Sequence, residues 1–277
     1  MEIDYDLLDS GNGLKLERFS EKILIRPSSL AIWDKSDEKL WKKADAVYDL
    51  DKGWCYLSPR FDEWSLKVGS DLQLILRLQD NGQVGLFPEH HLYLDQMIDA
   101  ISDCKKDKVE VLNLFAYTGM ASILCAKAGA FVTHLDLSRK ALKWARQNVD
   151  KNGLKGVRFI EDDAVTFVQR EIKRGKKYDL IIVDPPNFSR TDKRKSWNIE
   201  NILPQLLGDL ATLSNERVHI FATSHYLTYG AKEMMSNILR QKLQPNEIFT
   251  QDLILKELHS ENTLPAGTLV YCKRIPA

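Results

Sequence analysis

The chain has 277 residues, enough for a sizeable core in one large domain or in a large domain with a smaller one. Lys+Arg and Asp+Glu both number 39, so the formal net charge is zero; that excludes a protein holding nucleic acid by overall basic charge and leaves only a local patch for any RNA partner. The four cysteines (Cys55, Cys104, Cys125, Cys272) fit no metal-ligand spacing and read as thiols in a reducing compartment, and no run approaches the roughly 20 apolar residues of a membrane span, so neither a metal nor a membrane is expected.

The opening "MEIDYDLLDS" is acidic and lacks the basic and apolar regions of a signal peptide, so a cytoplasmic protein is expected. Residues 1 to about 85 are β-rich: short runs such as "KILIRP", "GWCYL" and "DLQLILRL" alternate with Gly, Pro, Asn and Asp turn signals. Trp33, Trp41, Trp54 and Trp64 fall in this part. As large aromatics they read first as core filling, with a base-stacking surface as the sharper alternative.

From about residue 92 the rhythm changes. "LYLDQMIDAIS" has the spacing of an amphipathic helix, "VEVLNLFA" that of a buried strand, and "GMASILCAKAG" that of a helix closed by Gly129. "AFVTHLD" is a second strand. "SRKALKWARQNVDKNG" follows as a helix with Ser138 as N-cap, Ala141, Leu142, Ala145 and Val149 on one face, and Gly153 past its end. "VRFIEDD", "YDLIIVD" and "RVHIFATS" add three strands, and "EIFTQDLILKEL" with "GTLVYCKRI" read as two more that form an antiparallel edge. Alternating strands and helices predict a parallel α/β sheet covered on both faces. The expected division is 1–90, a small β-rich substrate-side domain, and 91–277, the α/β domain.

Ligands of open α/β sheets sit outside the carboxyl ends of the strands. The first such end, "NLFAYTGM", carries one glycine, Gly119, where a dinucleotide site needs G-x-G-x-x-G; a P-loop is absent too. Asp136 ends the second strand 17 residues further on and can take the hydroxyls of a ribose. Asp162 or Asp163, ending the third, can accept from an adenine amino group. An adenosine without a pyrophosphate points to S-adenosylmethionine.

The fourth strand ends in "VDPPNFSR". Asp184 puts a carboxylate there, Pro185 and Pro186 fix φ and turn carbonyls outward, and Phe188 offers a face to a base. "RTDKRK" follows with Arg190, Lys193, Arg194 and Lys195, four cations in six residues suited to phosphates. "KRGKKYD", before the strand, reads as a solvated turn at the far end of the sheet.

"VLNLFAYTGMAS", "VTHLDLSRKALKWARQNVDKNGL", "FIEDDAVTFVQREIKRGKKYDLIIVDPPNFSR" and "LLDSGNGLKLERF" together resemble bacterial class I S-adenosylmethionine-dependent methyltransferases, in particular the ribosomal RNA group whose fourth motif reads D-P-P-x-F. The resemblance implies a Rossmann-like, seven-stranded, mostly parallel sheet. It implies a cofactor site of Asn113, Phe115, Tyr117, Thr118, Gly119, Asp136, Leu137, Ser138, Asp162, Asp163, Ala164 and Asp184. Phe115, Tyr117 and Gly119 would line its methionine end, Asp136 the ribose, and Asp163 with Ala164 the adenine. Asp184, Pro185, Pro186 and Phe188 would form the reaction centre, with Asn187 and the basic run meeting RNA.

RNA enzymes that methylate cytosine C5 first add a cysteine to the ring, and they hold that thiol in the fourth or sixth motif. Here these read "DPPNFSR" and "FATSHY", with Ser224 where a thiol would stand, so a base nitrogen is the expected target. His225 adjoins Ser224, but neighbours on a strand face opposite ways, so no Ser–His pair is expected. A small-molecule or protein methyltransferase and a non-catalytic assembly factor are the alternatives; a homodimer is left open.

Overall fold

In the computed structural model residues 1–186, 188–190, 196–225 and 230–276 are described. They divide into two compact units, Met1–Leu92 with Ile254–Ala266, and Tyr93–Leu253 with Gly267–Ala277.

The first unit builds a five-stranded sheet in the order β1 (Tyr5–Gly11), β2 (Leu14–Phe19), β3 (Lys22–Pro27), β4 (Ala46–Asp49), β5 (Gly53–Tyr56). A four-residue helix, α1 (Glu38–Trp41), lies in the connection before β4, and that connection lets β3 and β4 pair in parallel while the other neighbours are antiparallel. A separate hairpin pairs β6 (Glu63–Val68) with β7 (Leu72–Arg77). Its buried residues alternate strictly in both strands, as a half-buried ribbon requires. The four tryptophans fill this unit: each indole N–H finds an internal acceptor, Ser10 O for Trp33, Asp9 Oδ2 for Trp41, Gln79 O for Trp54 and Phe19 O for Trp64. Trp41 and Trp64 are buried as core filling requires, while Trp33 and Trp54 are half-buried.

A buried charge cluster links β2 to β3. Glu17 is fully buried and takes Arg26 in a fork, Nε to Oε2 at 2.6 Å and Nη2 to Oε1 at 2.9 Å. The Tyr5 hydroxyl donates to Oε1 at 3.0 Å and Lys15 Nζ lies 3.1 Å from it. Burial alone would push the Glu17 carboxyl up; the charges of Arg26 and Lys15 outweigh it and hold the group at about 2.

In the second unit α2 (Leu94–Asp103) leads into β8 (Glu110–Leu114), α3 (Met120–Lys127), β9 (Phe131–Asp136), α4 (Arg139–Lys151), β10 (Val157–Glu161), α5 (Ala164–Lys173) and β11 (Tyr178–Val183). A two-stranded ribbon follows, β12 (Phe188–Arg190) antiparallel to β13 (Ser196–Asn198), where the sequence suggested only a loop. The chain continues through α6 (Ile199–Thr212), β14 (Ser214–Ser224), α7 (Ala231–Leu243), β15 (Glu247–Lys256) and β16 (Thr263–Arg274). The sheet order is β10-β9-β8-β11-β14-β16-β15, parallel from β10 to β14, with β16 antiparallel to β14. This is the expected seven-stranded, mostly parallel α/β sheet.

Local sequence explains the elements. All six residues of β11 are buried, as a central parallel strand demands. On α4 the Ser138 hydroxyl caps Ala141 N at 3.2 Å, and Ala141, Leu142, Ala145 and Val149 are buried as their spacing predicts. Helices α2, α3 and α4 pack in one layer and α5, α6 and α7 in another. The core on the α5–α6–α7 side includes Leu112, Leu114, Phe167, Ile181, Leu207 and Leu239. At the amino ends of the strands the buried Asp179 accepts from Lys106 Nζ (2.5 Å), Asn215 Nδ2 (2.6 Å) and the Glu110 amide (2.9 Å). The nearby "KRGKKYD" turn is spent on similar contacts, Lys177 Nζ to Thr212 O at 2.6 Å and Arg174 to Glu171 at 2.7 Å.

Candidate cofactor and reaction site

The chain enters the sheet at β8, runs outward through β9 to β10, and returns on the other side of β8 as β11. That reversal makes a crevice at the carboxyl ends of β8 and β11, where such sheets bind ligands. Four strand ends meet the requirement for polar groups there.

After β8 the backbone of Phe115, Tyr117 and Gly119 adopts positive φ (57°, 49° and 94°). An alternation of this kind is costly for residues with a Cβ and persists where surroundings enforce it. Asp136, at the end of β9, is one enforcing partner: its Oδ2 accepts the Tyr117 amide at 2.9 Å and its Oδ1 the Ser138 amide at 2.8 Å. Burial pushes the Asp136 carboxyl up, with the Ser138, Tyr117 and Leu137 amides pulling the other way.

Behind this loop runs a buried polar chain. Asn113 Nδ2 donates to Ser122 Oγ at 2.9 Å, and Ser122 Oγ lies 2.9 Å from His134 Nδ1. His134 is fully buried, and burial lowers it to about 4, aided by the Arg146 charge and opposed by the Tyr117 backbone, so the ring is neutral at pH 7. Gly119 closes the turn against that ring: a Cβ there would sit 3.3 Å from Ala145 Cβ and 3.4 Å from His134 Cε1. Gly119→Ala should therefore lose about 1–2 kcal/mol to the left-handed backbone alone. We expect a drop of about 3–6 °C in Tm by scanning fluorimetry, and an unchanged Tm would contradict this account of the turn.

The other expected cofactor residues divide by role. Asp163 caps α5, its Oδ1 accepting Thr166 N and Thr166 Oγ1, both at 2.9 Å. Asp162 Oδ1 accepts the Asp163 amide at 2.9 Å while its Oδ2 pairs with Arg170. Thr118 and Ala164 are buried, the Thr118 carbonyl taking Asn148 Nδ2 at 3.0 Å, and Leu137 is 48% exposed. Asn113, Thr118 and Ala164 are buried, Asp136 and Asp162 half-buried, and Leu137 and Ser138 exposed.

After β11, Asp184 is held from β14. Its Oδ1 accepts the Thr223 hydroxyl and lies 2.9 Å from His225 Nε2. Neither Thr223 nor His225 was singled out in the sequence as a partner of Asp184. The parallel pairing Val183↔Ala222 is the signal that places them, because it sets the ends of β11 and β14 side by side. Ser224 is 1% exposed and its neighbour His225 reaches Asp184 instead, as opposite-facing neighbours should. Pro185 and Pro186 follow Asp184. Asn187, Lys193, Arg194 and Lys195, and the side chains of Phe188 and Arg190, lie outside the described residues.

Comparison with known proteins fits this geometry. Residues 27–226 match the S-adenosylmethionine-dependent methyltransferase family. Among curated proteins, the ribosomal RNA large subunit methyltransferase K/L of Allochromatium vinosum is 35% identical over 176 residues, which is 61% of this chain and 21% of that protein. That of Shewanella frigidimarina is 38% identical over 128 residues, 44% of this chain and 18% of that protein. The chain thus spans about a fifth of the length of these relatives. The crystal structure of an S-adenosylmethionine-dependent methyltransferase from Agrobacterium tumefaciens superposes with a TM-score of 0.90 at 30% identity, covering 98% of this chain and 90% of that one. The chain belongs to the S-adenosylmethionine-dependent methyltransferase family.

Proposed function

We propose that this protein transfers a methyl group from S-adenosylmethionine to a base nitrogen of large-subunit ribosomal RNA, in the cytoplasm. The observation that carries the reading is the Asp184 carboxylate, fixed by Thr223 and His225 at the end of β11 and followed by two prolines that cannot donate. The names of the curated relatives supply the class of RNA.

The residues present suit the cofactor. The crevice would offer a half-buried carboxylate, Asp136, for ribose hydroxyls and a second, Asp162, at the next strand end for an amino group, and the loop after β8 carries one glycine where a pyrophosphate site needs three. When bound, the cofactor supplies an electrophilic methyl group on a sulfonium. The chain's own contribution is to orient and to accept protons: Asp184 and the outward carbonyls of the proline loop would receive the N–H groups of a base amine, with Phe188 stacking on the base. Arg190, Lys193, Arg194 and Lys195 would take the phosphates and the first unit would face the RNA.

The thiols support a base nitrogen over a pyrimidine carbon. Burial pushes Cys104 to about 11 and Cys125 and Cys272 to about 12, and none of the four cysteines belongs to 184–190 or 221–225. A cysteine that attacks a ring has to be a reachable thiolate.

Tritium transfer from labelled cofactor into ribosomal RNA of cells lacking the gene tests the proposal. We expect label in the large-subunit fraction with the wild-type chain and a loss of about 100-fold with Asp184→Ala. Label confined to protein or metabolites would exclude the RNA substrate. An Asp184→Ala strain with its RNA methylation intact and its ribosome assembly normal would favour a non-catalytic assembly factor.

A further inference from the structure

Asp184 does not meet its substrate as an isolated side chain. One carboxylate oxygen, Oδ1, is tied to two donors from the end of β14, the Thr223 hydroxyl and His225 Nε2. Donation from Nε2 to a carboxylate places a proton on that nitrogen and fixes the orientation of the ring. The carboxylate is 13% exposed and the imidazole 22%, so the pair is reachable from solvent rather than sealed in the core.

The opposite edge of the ring faces β16. Gly267 there has φ of 152°, and a Cβ built on it would come within 2.9 Å of Ser224 O and 3.1 Å of His225 Nδ1. A side chain at 267 would have to displace either the end of β14 or the imidazole. Two strands thus converge on the placement of one ring, β14 by carrying it and β16 by leaving it room.

We propose that His225 is a positioning residue for methyl transfer: its Nε2–H sets the direction in which the Asp184 carboxylate meets the nucleophile, and Gly267 preserves the space that this placement needs. The inference rests on the reading of Asp184 as the group that accepts from the substrate. Its physical basis is the steep dependence of in-line displacement on alignment, where a shift of about 1 Å costs on the order of 100-fold in rate.

The full chain with His225→Leu, His225→Gln or Gly267→Ala would be compared with wild type. Three quantities are read: kcat and KM for methylation of large-subunit ribosomal RNA from cells lacking the gene, Kd for S-adenosylhomocysteine by calorimetry, and the His225 tautomer by imidazole ¹⁵N NMR without RNA. We expect His225→Leu to lower kcat by about 100-fold with KM and Kd little changed. His225→Gln, which keeps an N–H donor, should recover most of that loss, and Gly267→Ala should fall in the direction of His225→Leu. The wild-type ring should show the Nε2–H tautomer and lose its characteristic shift in Asp184→Asn. An unchanged kcat in His225→Leu, a loss confined to KM, or an Nδ1–H tautomer would overturn the proposal. If wild type fails to methylate RNA, the proposed substrate falls and the tautomer still decides the role of His225. If His225→Leu does not fold, Gly267→Ala and the tautomer decide it.

Discussion

Asp136→Ala should abolish useful cofactor affinity. In the proposed site its carboxylate would accept two ribose hydroxyls, and hydrogen bonds to a charged acceptor contribute about 1.5–3 kcal/mol each. Losing about 3 kcal/mol raises the Kd for S-adenosylhomocysteine by on the order of 100-fold. The loss has a second source, because the same carboxylate accepts the Tyr117 amide at 2.9 Å and the Ser138 amide at 2.8 Å and so holds the left-handed turn on which the methionine end would rest. Asp136→Asn keeps one acceptor oxygen and should recover part of the affinity. Calorimetry at 25 °C is the check; a Kd for Asp136→Ala within about threefold of wild type would remove Asp136 from the site.

Acid should weaken the two units in different pH windows. His134, lowered by burial to about 4, is neutral in the folded second unit and takes up a proton once unfolded, where its ordinary value is 6.5. A depressed folded value means stability that is present above pH 6.5 and lost as pH falls toward about 4. The loss is about 2 kcal/mol at pH 5 and approaches about 3 kcal/mol below the folded value. Glu17, whose burial is outweighed by Arg26 and Lys15, goes from an ordinary 4.5 to about 2 in the first unit. Its contribution, also about 3 kcal/mol, is complete above pH 4.5 and is lost as pH falls from there through about 2. Amide exchange protection, corrected for the intrinsic pH dependence, should therefore drop at pH 5 in peptides of β8 and β9 while peptides of β2 and β3 hold. His134→Leu should remove the first effect. Protection lost from β2 and β3 first would contradict the assignment.

Much of this architecture is legible in the sequence because its signals are local. The α4 helix is announced by Ser138, by Ala141, Leu142, Ala145 and Val149 at helical spacing, and by Gly153 beyond its end, and each behaves as that pattern demands. Acids ending successive strands locate the crevice for the same reason: Asp136 and Asp184 both close apolar runs. Interactions across strands are harder to see. Glu17 and Arg26 look like solvent-facing charges in "LKLERF" and "KILIRP"; only the β2–β3 pairing brings them together in the interior. The Asp184–His225 contact joins residues 41 apart and depends on the register of β11 against β14. In the sequence His225 stands beside Ser224, whereas its partner Asp184 follows the adjacent strand. Asn113, Thr118 and Ala164 illustrate a further limit: a motif marks them, and their burial comes from the fold around them.

The central claim is methylation of a base nitrogen in large-subunit ribosomal RNA. Mass spectrometry of nucleosides from that RNA, compared between a strain lacking the gene and the same strain complemented with the wild-type chain, tests it most directly. The account predicts that one N-methylated nucleoside is missing from the deletion strain and returns on complementation, but stays missing with Asp184→Ala. An identical nucleoside profile in all strains, or the loss of 5-methylcytidine instead, would contradict it.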